Sequence, residues 1–142
     1  MKRIVVGIDG SETGWLALAK AADLARATGA SLQIAYVSPS ILASLAGADY
    51  PIDAVDWVQV QALHAQELLA DAVARVGDLV DLVETVSLIG LPADALAELA
   101  SHADVSMTVV GHRGRNLPAR LLVGSVADRL VQISPKPVLV VR

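Results

Sequence analysis

The sequence contains no cysteine and no phenylalanine among its 142 residues. Without cysteine, disulfide scaffolds, zinc ribbons, iron–sulfur sites, redox motifs and thiol nucleophiles are excluded together. Aromatic residues make up only 3% of the chain. The core must therefore be aliphatic, and an aromatic stacking platform for nucleic acid is not expected. Long apolar runs are also missing. Mean hydropathy is +0.56, yet no stretch of about 18 apolar residues runs without a charge, so no membrane span is expected. Met1-Lys2-Arg3-Ile4-Val5-Val6 is basic but has neither the apolar region nor the cleavage site of a signal peptide, and a cytoplasmic location is expected. There is no GxxxxGK[ST], and Gly7, Gly10 and Gly14 do not form GxGxxG, so neither a P-loop nor a Rossmann dinucleotide site is supported. HExxH and deaminase signatures are absent as well.

What the chain does have is 54% hydrophobic and 18% charged residues, a globular rather than a disordered composition. Its length points to one domain over residues 1–142. Charge is divided unevenly. Residues 1–110 carry 5 Lys+Arg against 14 Asp+Glu, a net −9, and residues 111–142 carry 6 against 1, a net +5. An acidic body with a basic C-terminal segment suggests a local anion site rather than a nucleic-acid surface.

Hydrophobic patterning places strands at Ile4–Ile8, Leu32–Val37, Leu79–Leu88, Val105–Val110 and Pro137–Arg142. It places a turn and helix start at Asp9-Gly10-Ser11-Glu12 with helical apolar spacing from Trp15 to Ala27, and further helices over Ala54–Val76, Pro92–His102 and Ser125–Ile133, with residues 38–53 as a long loop. The order βαβαβαβαβ argues for an α/β fold, a parallel sheet with helices on both faces. Ligands of such sheets bind beyond the carboxyl ends of the strands, so the turns after the first, second and fourth strands matter most.

One of those turns stands out. Gly111-His112-Arg113-Gly114 is followed, after nine residues, by Gly124-Ser125-Val126. Gly111 suits a sharp turn at a strand end, and Gly114 suits positive φ or close backbone approach to a ligand. Gly124-Ser125 opens a helix whose free N–H groups favour an anion. The Ser125 hydroxyl can cap that helix or donate to a phosphate oxygen. Arg113, Arg115 and Arg120 supply positive charge. An ordinary glycine-containing loop is the alternative to a phosphate site.

The pattern G-x2-G-x9-G-[ST], with Ile4-Val5-Val6-Gly7-Ile8-Asp9-Gly10-Ser11 at the start and Pro137-Val138-Leu139-Val140-Val141 at the end, resembles the universal stress protein A family over the whole chain. The resemblance implies a three-layer open five-stranded parallel sheet of order 3-2-1-4-5, of the adenine nucleotide alpha-hydrolase-like type, holding ATP, ADP or AMP. It implies that Asp9, beside Gly7 and Ile8, meets the ribose and that the Val37 backbone meets adenine. It also implies that Gly111, His112, Arg113 and Gly114, with Arg115, line the ribose–phosphate path, and that Gly124, Ser125 and Val126 hold the phosphates. A homodimer through residues 137–142 is implied too. One departure is the six-residue run Val105–Val110 between Ala103-Asp104 and Gly111, which is longer than usual in the family.

The expected function is a cytoplasmic adenine-nucleotide-binding regulator acting as a homodimer, with no catalytic residue. Two alternatives stand beside it. One is slow ATP hydrolysis or autophosphorylation on Ser125 or a nearby hydroxyl. It would have to proceed without a Walker-type lysine and with no general base beyond Asp9. The other is a dimeric interaction module independent of nucleotide. A divalent ion bridging the phosphates would be Mg²⁺ by hard-ligand chemistry, with no protein ligand assigned.

The remaining candidates read more plainly. Asp9 could instead cap the following helix. His112 could be a solvated loop residue, His64 a surface residue and His102 a helix-end cation. Asp49, Asp53 and Asp56 read as a solvated acidic face, Trp15 and Trp57 as packing residues, and Tyr50 as a weak candidate to close over a base. The apolar last strand would be an exposed sheet edge, which pairing with a second copy would cover.

Overall fold

Five parallel strands form one sheet in the order β3-β2-β1-β4-β5, as the resemblance implied. A computed structural model describes residues 2–40, 54–113 and 123–142. In chain order the elements are β1 (Arg3–Ile8), α1 (Glu12–Thr28), β2 (Ser31–Ser38), α2 (Ala54–Val76), a 3-10 turn (Gly77–Leu79), β3 (Val83–Ile89), α3 (Pro92–Ala100), β4 (Val105–Gly111), α4 (Ser125–Ile133) and β5 (Val138–Val141). Among the described residues, no helix is long and apolar enough to cross a membrane.

The two faces of the sheet bury different aliphatic sets. On one face Ile4, Val6, Ile8, Leu32 and Ile34 pack against Leu18, Ala21 and Ala25 of α1 and Leu69 and Ala72 of α2. On the other, Val5, Ala35, Val105 and Val110 pack against Leu96 and Ala100 of α3 and Ala127 and Leu130 of α4. With no phenylalanine available, the thin layer between sheet and α1 is filled by alanine and leucine, which brings α1 close to the strands. That closeness matters at the site.

The element boundaries follow the sequence reading to within about two residues, apart from the start of the third strand. The helix α1 begins at Glu12, within the turn and helix start expected at Asp9-Gly10-Ser11-Glu12, because Ser11 caps it. The third strand begins at Val83 rather than Leu79. Gly77, at φ 55, carries α2 into a 3-10 turn, and Val80 is buried in the core ahead of the strand. The long fourth strand also has a physical reason. Arg3 lies opposite Val105 and Ile4 opposite Met107, so Ser106 is the extra residue of a bulge. Its hydroxyl donates to the Arg3 carbonyl at 3.0 Å.

Candidate functional site

The carboxyl ends of β1, β2 and β4 open into a cavity of about 310 Å³, at the lower end of the roughly 300–1,000 Å³ usual for ligand sites. Its apolar wall comes from Ala35, Val37, Leu96 and Val110, and its polar groups from Asp9, Ser11, Arg113 and Ser125. Of the residues expected at the site, Gly7, Ile8, Asp9, Val37, Gly111, Arg113, Gly124, Ser125 and Val126 all line this one cavity. Gly114, Arg115 and Arg120 lie outside the described residues, as do Asp49, Tyr50 and Asp53.

The turn after β1 is built by its own hydrogen bonds. Gly10 takes φ 82, a conformation that favours glycine. This lets Ser11 fold back so that its backbone N–H donates to Asp9 Oδ1 at 2.9 Å, and its hydroxyl donates to the same oxygen. The Ser11 hydroxyl in turn accepts from the Gly14 N–H at 3.1 Å, capping α1. The helix cap is therefore Ser11, and the capping role considered for Asp9 is corrected. Asp9 instead has one oxygen fixed by Ser11 while its carboxylate borders the cavity. A Cβ at residue 14 would lie 2.9 Å from Asp9 Oδ1 and 3.1 Å from Ser11 Oγ, so Gly14 leaves room for this arrangement. Ser11 and Gly14 belong to the site, although the sequence reading gave neither a role there.

Gly111 serves a purpose other than a sharp turn. It has no positive φ, and a Cβ there would meet the Thr13 backbone carbon and Oγ1 at 2.7 Å each. The first turn of α1 rests directly on the end of β4. His112 follows with its backbone N–H donating to the Val141 carbonyl at 2.8 Å. Its ring Nδ1 lies 3.2 Å from the same carbonyl; because that oxygen only accepts, Nδ1 carries the proton. His112 thus faces β5 and is not part of the cavity lining. Its own carbonyl accepts from the Gly124 N–H, joining the outgoing and returning ends of the loop.

At the far end of that loop, Gly124 is the N-cap of α4 and Ser125 the first helical residue, so Ser125 is not the cap. Among the described residues, no side chain caps this helix. Its first N–H groups and dipole are therefore left to face the cavity that Gly124, Ser125, Val126 and Ala127 line. With Arg113 beside them, this is the chemistry of an anion site. Pro92, at the start of α3, and Leu96, one turn on, complete the opposite wall. The sequence showed Pro92 as a helix start but carried no signal that Leu96 reaches the cavity.

A bidentate pair ties the first turn of α3 to the middle of α4. The Arg129 guanidinium donates to Asp94 at 2.8 and 3.2 Å. This hydrogen bonding is the main reason the Asp94 carboxyl sits below its ordinary value of 3.8. A depressed folded value means the pair contributes fully above about pH 3.8 and is lost as pH falls through the lower folded value. Both groups are exposed, so the contribution is small. In a carboxyl NMR titration Asp94 should show a midpoint below 3.8, and Arg129→Ala should raise it; a midpoint unmoved by that substitution would contradict the assignment.

Trp15, Tyr36 and His64 have structural partners. The Arg75 guanidinium covers the Trp15 ring at 4.0 Å, and Tyr36 meets His64 edge-on at 5.7 Å.

The comparisons with known proteins agree with this architecture. The sequence model of the universal stress protein family matches residues 1–142. The universal stress protein YxiE of Bacillus subtilis is 31% identical over 145 residues, covering 99% of this chain and 98% of that protein. Among solved structures, the universal stress protein UspA from Lactobacillus plantarum superposes with a TM-score of 0.83 at 26% identity, covering 99% of this chain and 97% of the other. A universal stress protein in complex with cAMP superposes with a TM-score of 0.71 at 27% identity, covering 99% and 96%. The chain belongs to the universal stress protein family.

Proposed function

We propose that the chain holds an adenine nucleotide, ATP or its close relatives ADP and AMP, in the cavity at the carboxyl end of the sheet, and acts as a regulatory stress-response protein. The observation that carries this reading is the pairing of an apolar slot with an anion site. Val37, Leu96 and Val110 suit the faces of a flat base. The uncapped start of α4 and Arg113 suit a polyphosphate. Asp9, its one oxygen already fixed by Ser11, can accept from sugar hydroxyls lying between them. The cAMP complex of a relative 27% identical to this chain supports an adenine-nucleotide ligand. The two glycines at 111 and 124, tied together through His112, and the further motif glycine Gly114 fit a loop that wraps phosphates.

Holding is favoured over turnover. The described lining contains no lysine, and Asp9 is its one carboxylate. Mg²⁺ enters this reading as a companion of the phosphates. We also propose a homodimer through β5. That strand pairs with β4 on one side, its four residues are all half-buried apolar ones, and a second copy would cover an edge that otherwise invites aggregation. Cytoplasmic residence as a single-domain protein completes the proposal.

Denaturing the purified protein and analysing what is released by chromatography and mass spectrometry tests the ligand. Recovery of an adenine nucleotide near one per chain is expected. An empty protein whose thermal unfolding is unmoved by added ATP would overturn the reading and favour the nucleotide-independent dimer.

A further inference from the structure

One side chain on a distant element holds the backbone just beyond β4, at Arg113. Thr13, in the first turn of α1, donates its hydroxyl to the Arg113 carbonyl at 2.6 Å across a sequence separation of 100 residues. The contact is geometrically enforced. Gly111 lets the Thr13 backbone rest against β4, since a Cβ there would approach Thr13 to 2.7 Å. His112, between them, is held by Val141. Three consecutive residues are thus fixed by three different contacts, the third of them at the Arg113 carbonyl. Arg113 lines the cavity, whereas Thr13 does not.

From this geometry we propose that Thr13 is a positioning residue for polyphosphate binding: its hydroxyl sets the orientation of the Arg113 peptide and thereby aims the Arg113 side chain at the phosphates. The inference rests on the adenine-nucleotide reading above. It separates the two parts of the ligand. A base and sugar seated on β1, β2 and α3 do not depend on the Arg113 peptide, but the phosphates do. The charged part of the affinity is sensitive to Thr13, and the nucleoside part is not.

Titrations of the wild-type protein, Thr13→Val and Thr13→Ser with ATP and with adenosine test this. Valine keeps the shape of threonine and removes the hydroxyl; serine keeps the hydroxyl. Thr13→Val should bind ATP about tenfold more weakly, the scale set by one lost hydrogen bond that leaves a carbonyl unpaired. Its adenosine affinity should stay within about twofold, and Thr13→Ser should match the wild type for both ligands. Unchanged ATP affinity in Thr13→Val would overturn the proposal, as would an equal loss for ATP and adenosine. If the wild type binds neither ligand, the nucleotide reading itself fails, and this shows in the wild-type titration alone. A second measurement judges the clamp without nucleotide. The carbonyl that Thr13 holds belongs to the Arg113–Gly114 peptide bond, a trypsin site whose cleavage needs that oxygen released into the protease oxyanion hole. Cleavage after Arg113, followed by mass spectrometry on folded protein, should be several-fold faster in Thr13→Val than in wild type or Thr13→Ser. Equal rates would overturn the clamp.

Discussion

Replacing Gly111 with alanine is expected to destabilise the fold by about 1–3 kcal/mol, the usual range for overpacking, and to remove most of the ATP affinity. The added methyl would stand 2.7 Å from the Thr13 carbonyl carbon and Oγ1 and 2.8 Å from its carbonyl oxygen. Two of those three atoms are backbone, in the first turn of a helix whose cap, Ser11, is tied to both Gly14 and Asp9. The helix cannot retreat without disturbing the Asp9 turn, so the end of β4 must move instead. That movement carries Arg113 away from Thr13 and shifts His112 relative to Gly124 at the start of α4. Urea denaturation and ATP titration of the same preparation measure both effects. Gly29→Ala provides the comparison. Nothing lies within 4 Å of a Cβ there, but φ is +69. It should cost about 1–2 kcal/mol through backbone strain alone and leave ATP affinity unchanged. Equal ATP affinity in Gly111→Ala and wild type would contradict the account.

Leu130→Ala should have the larger effect on stability, about 2–5 kcal/mol, a large part of the roughly 5–15 kcal/mol typical of a whole domain. The helix α4 is nine residues long, too short to persist unaided. Its buried residues are Ala127 and Leu130. Leu130 is the sole large one, fully buried in the cluster with Leu96, Val105 and Val110. Truncating it removes the largest apolar anchor of the helix, leaving Ala127 and the exposed Arg129–Asp94 pair. Because the N-terminus of α4 forms the anion site, ATP affinity should fall along with the denaturation midpoint. Amide exchange should show α4 opening before the central strands. A stability loss below about 1 kcal/mol, smaller than any in the leucine-to-alanine range, would mean that α4 is held by something other than this side chain.

Both effects depend on features of very different visibility in the sequence. The strand–helix alternation was plain, because each strand is a short aliphatic run and each helix shows helical spacing. Five parallel strands with helices on both faces followed from that pattern, and the strand order came from the family resemblance. Gly111, Gly124 and Ser125 could be assigned to one turn from spacing alone. Their roles could not. A glycine that is needed because a helix 98 residues earlier rests on it looks the same as one that is needed for a turn, and Gly111 proved to be the former. Ser125 looked like a helix cap, yet the cap is Gly124, which leaves the helix N-terminus open. Asp9 was a reasonable cap too, but Gly10 turns the chain so that Ser11 takes that place. The bulge at Ser106 lies in a strand that was longer than usual for the family, although the partner that absorbs it, Arg3, is distant in sequence. Leu96 and Thr13 left no sequence signal, because each acts through a contact made only once α3 and α1 are docked on the sheet.

Calorimetric titration of the purified, nucleotide-free protein with ATP is the most direct test of the central claim that this cavity is an adenine-nucleotide site. The expected result is one site per chain with a dissociation constant well below millimolar. A companion unfolding measurement should then show stabilisation of about 2.7 kcal/mol at a hundredfold excess over that constant. Heats indistinguishable from dilution up to millimolar ATP, with no shift in unfolding, would contradict it.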